Sequence, residues 1–134
     1  MKYLLDTNAW IHFLNNPGGL VGQRIKSQLP ADICLCSVVV GELRTGAYKS
    51  ARLAANLSLI ALLQQQFVSI PFDDRAADRY AQIRANLEAQ GQPIGPYDTQ
   101  IAAIALIHGL IVVTHNTAEF SRVTGLTLED WSIP

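Results

Sequence analysis

The run YLLDTN at residues 3–8 passes directly from apolar side chains to three residues that favour turns and helix caps. It predicts a short buried strand at residues 2–5, which ends at Asp6 and leads into a helix. The same order of strand and helix recurs along the chain and predicts further strands at residues 33–36, 67–70 and 110–113. We therefore expect an α/β fold of three layers, with helices flanking a short parallel sheet of about four to five strands.

Helices are predicted between these strands by apolar residues at helical spacing and by caps and breakers at the helix ends. They cover residues 9–14, 20–29, 37–48, 52–66 and 74–90, and a last helix opens at Gly95-Pro96 and carries Asp98. After residue 113 the sequence predicts only a polar segment at 114–117 and a short tail that ends in Trp131.

Length and composition limit the kind of protein. The chain has 134 residues, of which 49% are hydrophobic and 16% charged, and this predicts a single domain over residues 1–134 with its own core. The formal net charge of −1 excludes a generic nucleic-acid coat protein, which would be strongly basic. Any polyanion must therefore bind through a local patch.

The cysteines and the longest apolar stretch bear on the compartment. Cys34 and Cys36 are too close along the chain to staple the fold and are predicted to be buried free thiols. With no secretory leader after Met1 and no disulfide framework, a cytoplasmic location is expected. The apolar stretch at residues 101–113 is interrupted by His108-Gly109 and is shorter than the ~20 residues of a membrane span, so no membrane association is expected.

Acidic residues occur near the carboxyl ends of the predicted strands, where ligands bind in parallel sheets. Asp6 directly follows the first strand, and Glu42 lies on the helix that leaves the second. Asp98 opens the helix that leads into the last strand, and Asn116 and Glu119 follow that strand. Carboxylates that converge repel one another unless a cation joins them. Mg²⁺ or Mn²⁺ suits such a cluster and would activate water for attack on a phosphodiester.

Each of these side chains also has a purely structural interpretation. Asp6 has the position of a helix cap, and Glu42 is a good helix former whose usual state is exposed. Asp98 lies in a first helical turn, where negative charge complements the helix dipole. Asn116 and Glu119 have the spacing of a capping box. Both interpretations stay open for each residue taken singly.

Other chemistries lack their motifs. His12, His108 and His115 have neither HxxxH nor HExxH spacing, which argues against a zinc hydrolase. No GxGxxG follows the first strand and no P-loop motif is present, so dinucleotide and P-loop nucleotide binding are disfavoured. A phosphatase built on Asp-x-Asp is disfavoured because position 8 is Asn.

Four segments spread in order over almost the whole chain carry a family resemblance. They are YLLDTN at residues 3–8, SVVVGELRTG at 37–46, GPYDTQIAA at 95–103 and THNTAEFSRV at 114–123. Together they resemble PIN-domain ribonucleases, specifically the VapC-like toxins of bacterial type II toxin–antitoxin modules. The resemblance implies a Mg²⁺- or Mn²⁺-dependent endoribonuclease that acts on structured RNA such as tRNA.

The resemblance also implies roles for single residues. Asp6, Glu42 and Asp98 would bind the metal, and Glu119 would join them in the catalytic centre. Many members carry Asp where this chain has Asn116, so it stays open which of Asn116 and Glu119 supports the metal. Two further residues, Thr7 and Asn8, would orient Asp6 and the substrate without binding the metal themselves.

Basic residues are few, and Arg44, Lys49 and Arg24 are the candidates for RNA contact. Arg44 is the strongest candidate because it follows Glu42 by two positions, so the two do not share a helix face and a simple internal salt bridge does not explain it. Solvated helix faces are the competing interpretation for the basic residues.

The resemblance further implies a homodimer and a cognate antitoxin that covers the groove and inhibits the enzyme. Two rival functions are a non-catalytic PIN-like module that binds RNA or another partner, and an α/β phosphohydrolase acting on small phosphate esters. The intact acidic set favours the nuclease over both.

Overall fold

The computed structural model describes all 134 residues and contains a parallel five-stranded sheet flanked by helices, so the predicted α/β fold is confirmed. The strands are β1 (Tyr3–Leu5), β2 (Ile33–Cys36), β3 (Val68–Ile70), β4 (Ile111–Val113) and β5 (Leu128–Glu129). The helices are α1 (Thr7–Asn15), α2 (Leu20–Lys26), α3 (Ser37–Tyr48), α4 (Leu53–Gln66), α5 (Asp74–Ala89), α6 (Pro96–His108) and α7 (Thr117–Phe120).

The strand order places β1 at the centre of the sheet. The order is β3-β2-β1-β4-β5, and Tyr3 of β1 pairs with Ile33 on one side and with Ile111 on the other. The chain thus builds outward from β1 first in one direction and then in the other. The carboxyl ends of β1 and β4 flank the point where the direction reverses, and this is where open α/β sheets bind their ligands.

The apolar stretch at residues 101–113 forms part of the core. Residues 101–105 of α6 are all fully buried, and so are Val112 and Val113 of β4. Gly109 ends α6 with a φ of 65°, a left-handed conformation that glycine adopts without steric cost. No helix in the structure has both the length and the apolar character needed to cross a membrane.

Two small elements near the carboxyl terminus were not predicted from the sequence. Helix α7 has only four residues and β5 only two, which is too short for a hydrophobic period to be recognised. Strand β5 is defined by its parallel pairing with β4, which joins Val113 to Glu129. Strand β2 has the predicted bounds. Its Cys34 and Cys36 are buried free thiols, which confirms the prediction for the cysteines.

Candidate active site

Asp6 lies at the carboxyl end of the central strand and is almost fully buried. Its Oδ1 accepts a hydrogen bond from the Ala9 N–H at 2.9 Å, which caps α1. Its Oδ2 accepts a hydrogen bond from the Thr114 hydroxyl at 2.6 Å. The helix-cap interpretation of Asp6 is therefore confirmed. It leaves the metal role open, because each carboxylate oxygen has a second lone pair.

Thr114 is a site residue to which the sequence analysis gave no role. It directly follows β4 as Asp6 follows β1, and its side chain is buried. Its hydroxyl donates to Asp6 and accepts from the Asn116 N–H at 2.9 Å. The sequence signal was a polar residue at the exit of an apolar strand, the same signal that singled out Asp6.

Glu42 is half-buried on α3, and its carboxylate is held by the first turn of α1. The Thr7 hydroxyl donates to Glu42 Oε1 at 2.7 Å, while Oε2 has no hydrogen-bond partner within the chain. The Thr7 hydroxyl thus contacts Glu42, whereas Thr114 holds Asp6, and the supporting role of Thr7 at the site stays a prediction. Asn8 is exposed, and its predicted role toward the substrate stays a prediction.

Asp98 is half-buried in the first turn of α6, which begins with Pro96. Burial, followed by repulsion from the carboxylates of Asp6, Glu42 and Glu119, raises the pKa of Asp98 to about 6. Burial, with smaller contributions from Glu42 and Asp130, also raises the pKa of Asp6. Asp98 therefore lies close enough to the other three predicted acids, and Asp6 close enough to Glu42, for their charges to repel.

Asn116 and Glu119 do not form a capping box. The Asn116 side chain makes no cap hydrogen bond to α7 and instead donates from Nδ2 to Glu119 Oε2 at 3.0 Å. Nδ2 also lies 3.5 Å from Asp98 Oδ2, a long contact. Between two carboxylates the amide must present its nitrogen, because its oxygen would be repelled. This arrangement favours Glu119 over Asn116 as the metal-supporting residue of the segment.

Asp130 is a further acidic residue near the site that sequence reasoning missed, because it follows the unpredicted strand β5. Burial opposes its ionisation, but hydrogen bonds from Ser132 and His115 outweigh that effect and lower the pKa of Asp130. His115 Nδ1 lies 3.0 Å from Asp130 Oδ2, so this carboxylate has an ionisable partner that the other four acids lack.

The four predicted acids have no cationic partner within the chain. The ion pairs of the structure are Met1–Asp32, Arg24–Glu129, Arg84–Glu88 and His115–Asp130, and none includes them. No three Asp, Glu, His or Cys side chains are already gathered to hold a metal directly. Carboxylate oxygens are the ligands that Mg²⁺ and Mn²⁺ prefer, and a hydrated ion that keeps several waters needs only a few of them. The chemistry of these side chains fits the predicted metal, and its binding stays a prediction.

The repulsion predicts that Asp98→Asn stabilises the metal-free protein at neutral pH. A folded-state pKa raised to about 6 from 3.8 means that folded Asp98 holds its proton more tightly, so its contribution to stability falls as pH rises through this range. Because Asp98 is only half-buried, and because its charge also favours the helix dipole, we expect a gain of about 1 kcal/mol at pH 7.5, roughly 3 °C in Tm. The measurement is thermal unfolding in EDTA.

Most of the gain should be lost near pH 3, below both pKa values, where Asp98 is largely protonated in the folded and the unfolded wild type. Asp74→Asn is the matched control, since Asp74 also lies in a first helical turn but far along the chain from the acidic site. This control should lose a little stability rather than gain it. A variant Asp98→Asn no more stable than wild type at pH 7.5 would contradict the predicted repulsion.

Two of the three basic residues proposed to contact RNA have partners in the structure. Arg24 pairs with Glu129 at 3.1 Å and lies over the ring of Trp131, and Arg44 donates to Gln64 Oε1 at 2.6 Å. Lys49, just after α3, forms no ion pair or side-chain hydrogen bond. Contact of these residues with RNA stays a prediction.

Comparison with known proteins finds the family that the four sequence segments resemble, and the matches cover nearly the whole chain. The model of the PIN domain family matches residues 3–126. The chain is 42% identical over 132 residues to the tRNA(fMet)-specific endonuclease VapC of Shigella flexneri, covering 98% of this chain and 99% of that protein. It is 37% identical over 131 residues to the protein of the same name from Salmonella typhimurium, covering 98% of both.

Solved structures agree with these sequence matches. The crystal structure of DNA-bound VapBC from Salmonella typhimurium matches with a TM-score of 0.92 and 37% identity, covering 98% of both chains. The VapBC-1 structure from nontypeable Haemophilus influenzae matches with a TM-score of 0.87 and 31% identity, covering 99% of this chain and 100% of that chain.

Fold, site and matches together define the class: the chain belongs to the PIN-domain family. Within that family it belongs with the VapC proteins, which it matches over 98% of its length. The resemblance drawn from the four sequence segments is confirmed.

Proposed function

We propose that this chain is a metal-dependent endoribonuclease that hydrolyses phosphodiester bonds of structured RNA and acts as a toxin held in check by a cognate antitoxin. The observation that carries the proposal is a group of four carboxylates at the edge of the sheet where such folds bind ligands. Asp98 is repelled by the other three, and none of the four has a cationic partner within the chain. The VapC relatives named tRNA(fMet)-specific endonucleases support RNA, and tRNA(fMet) in particular, as the substrate to test first.

Asp6, Glu42 and Asp98 would hold Mg²⁺ or Mn²⁺, with Glu119 beside them. The ion, when bound, supplies an activated water and neutralises charge that builds on the phosphodiester. Glu42 offers Oε2 and Asp98 offers Oδ1, neither of which has a hydrogen-bond partner within the chain. Thr114 and the Ala9 N–H fix both oxygens of Asp6, so this carboxylate cannot rotate away from the site.

The proposal predicts that purified protein cuts tRNA(fMet) with Mg²⁺ or Mn²⁺ and not in EDTA. Without a cation the acidic site repels the phosphate backbone, and no water is activated. Because water and not the ribose 2′-OH is the nucleophile, the products should carry 5′-phosphate and 3′-hydroxyl ends. Gel mapping of the ends checks this, and cleavage in EDTA that leaves 2′,3′-cyclic phosphates would refute the mechanism.

An apolar groove beside the acidic site supports the antitoxin as partner. A cavity of about 410 Å³ between α1, α3 and α4 is lined by apolar and polar residues, which include Ile11, Leu14, Leu59, Ile60, Glu42 and Arg52. Ile11 is 40% and Leu59 43% exposed, and contiguous exposed apolar surface is typical of interaction sites. An antitoxin segment seated here would reach Glu42 with a basic or polar side chain and neutralise the site. We also propose that the chain forms a homodimer, as the family resemblance implies.

A further inference from the structure

A second cavity opens on the other side of Glu42, between α3 and α6. Its volume is about 370 Å³, within the roughly 300–1,000 Å³ typical of ligand pockets. Glu42 and Thr45 of α3 form one wall, and Tyr97 and Gln100 of α6 lie opposite. Since Glu42 lines this cavity, a ligand there lies beside one of the proposed metal-binding residues.

Tyr97 presents an aromatic ring that the fold does not use. The residue is 56% exposed, and its hydroxyl has no hydrogen-bond partner within the chain. By contrast, Tyr3 packs edge-on against Trp131, and Tyr80 packs against Phe72. A free aromatic face beside a phosphodiester-cleaving site is a surface on which an unpaired base stacks.

Gln100 supplies an uncharged polar group of the cavity that is still free to bind. The Thr45 hydroxyl already donates to Gly41 O at 2.8 Å, and the Ser37 hydroxyl accepts from the Phe72 N–H at 2.9 Å. The Gln100 side chain makes no hydrogen bond within the chain, so both its amide nitrogen and its oxygen can pair with the edge of a base.

We propose that this cavity binds one unpaired nucleobase of the RNA substrate, next to the phosphate that is cut. Tyr97 provides the stacking face and Gln100 reads the edge of the base. This inference rests on the proposed ribonuclease function and adds a sequence-reading element to it. An aromatic face, a free amide and an adjoining acidic centre suit a base better than an apolar peptide side chain.

The test compares Tyr97→Ala with Tyr97→Phe on tRNA(fMet) whose cut site has been mapped. Loss of one stacked base should raise KM roughly 5- to 100-fold in Tyr97→Ala with little change in kcat, because stacking holds the bound substrate and the transition state alike. Tyr97→Phe keeps the ring and should behave as wild type. Tyr48→Ala is the matched control, since Tyr48 is 65% exposed at the far end of α3.

A second measurement uses synthetic RNA with an abasic ribose on either side of the cut. One of the two should raise the wild-type KM to the level of Tyr97→Ala on intact RNA, and Tyr97→Ala should lose nothing further on it. Gln100→Ala should flatten the preference among the four bases at that position. If the ratio of the Tyr97→Ala KM to the wild-type KM is the same on abasic RNA as on intact RNA, or if the variant matches wild type on intact RNA, the nucleobase site is refuted. Wild-type protein that cuts no RNA with Mn²⁺ would instead refute the proposed function.

Discussion

Asp98→Asn is expected to lower metal-dependent RNA cleavage by at least about 1,000-fold while leaving the protein folded, since loss of a direct ligand exceeds the 10- to 100-fold cost of losing an outer partner. The amide keeps the volume of the side chain but replaces a charged ligand oxygen with a neutral one, which a hard divalent ion binds weakly. Asp6→Asn should lose as much activity. Its fold should survive because Asn still caps α1 through the Ala9 N–H.

Single-turnover cleavage of tRNA(fMet) at saturating and limiting Mn²⁺ measures the effect, with thermal unfolding as the check on folding. Glu119→Gln gives a graded comparison: Asn116 already holds one of its oxygens, so we expect a smaller loss of roughly 10- to 100-fold, greatest at limiting metal. Asp74→Asn removes a carboxylate from α5 and should leave cleavage unchanged. Near-normal cleavage by Asp98→Asn would show that Asp98 does not bind the metal and only interacts with the dipole of α6.

Expression of the active chain alone is expected to arrest growth of a bacterial host, and co-expression of a cognate antitoxin is expected to restore it. An enzyme that cuts tRNA depletes the host of translation capacity, whereas an occupied groove beside Glu42 blocks access to the acidic site. Growth curves and colony counts after induction measure both effects.

The control for toxicity is Asp98→Asn expressed to the same level, which should be tolerated because it keeps the groove but lacks the chemistry. Leu59→Asp tests the partner surface, since a charge on the apolar wall of the groove should weaken rescue by the antitoxin while leaving cleavage intact. A wild-type chain that is freely tolerated at high expression, with no partner, would contradict the toxin role.

The strands and most helices could be predicted because their signals are local. An apolar run followed by Asp6 marks β1 and the start of α1, and Gly95-Pro96 marks the start of α6. Helix α7 and strand β5 were missed because β5 exists only through its pairing with β4. With β5 the position of Asp130, and its electrostatic effect on Asp6, was missed as well.

The sequence by itself determined which residue types follow the strands and begin the helices, and these local patterns identified the four acids and the family. Periodicity and turn chemistry are properties of neighbouring residues, so no tertiary information was needed for them. Only the tertiary structure decided which side chains meet. Thr7 holds Glu42 at a separation of 35 residues, Thr114 holds Asp6 at a separation of 108, and Asn116 binds Glu119 through its amide instead of capping α7. Such contacts depend on the order of strands in the sheet, which brings β1 and β4 together although more than a hundred residues separate them along the chain.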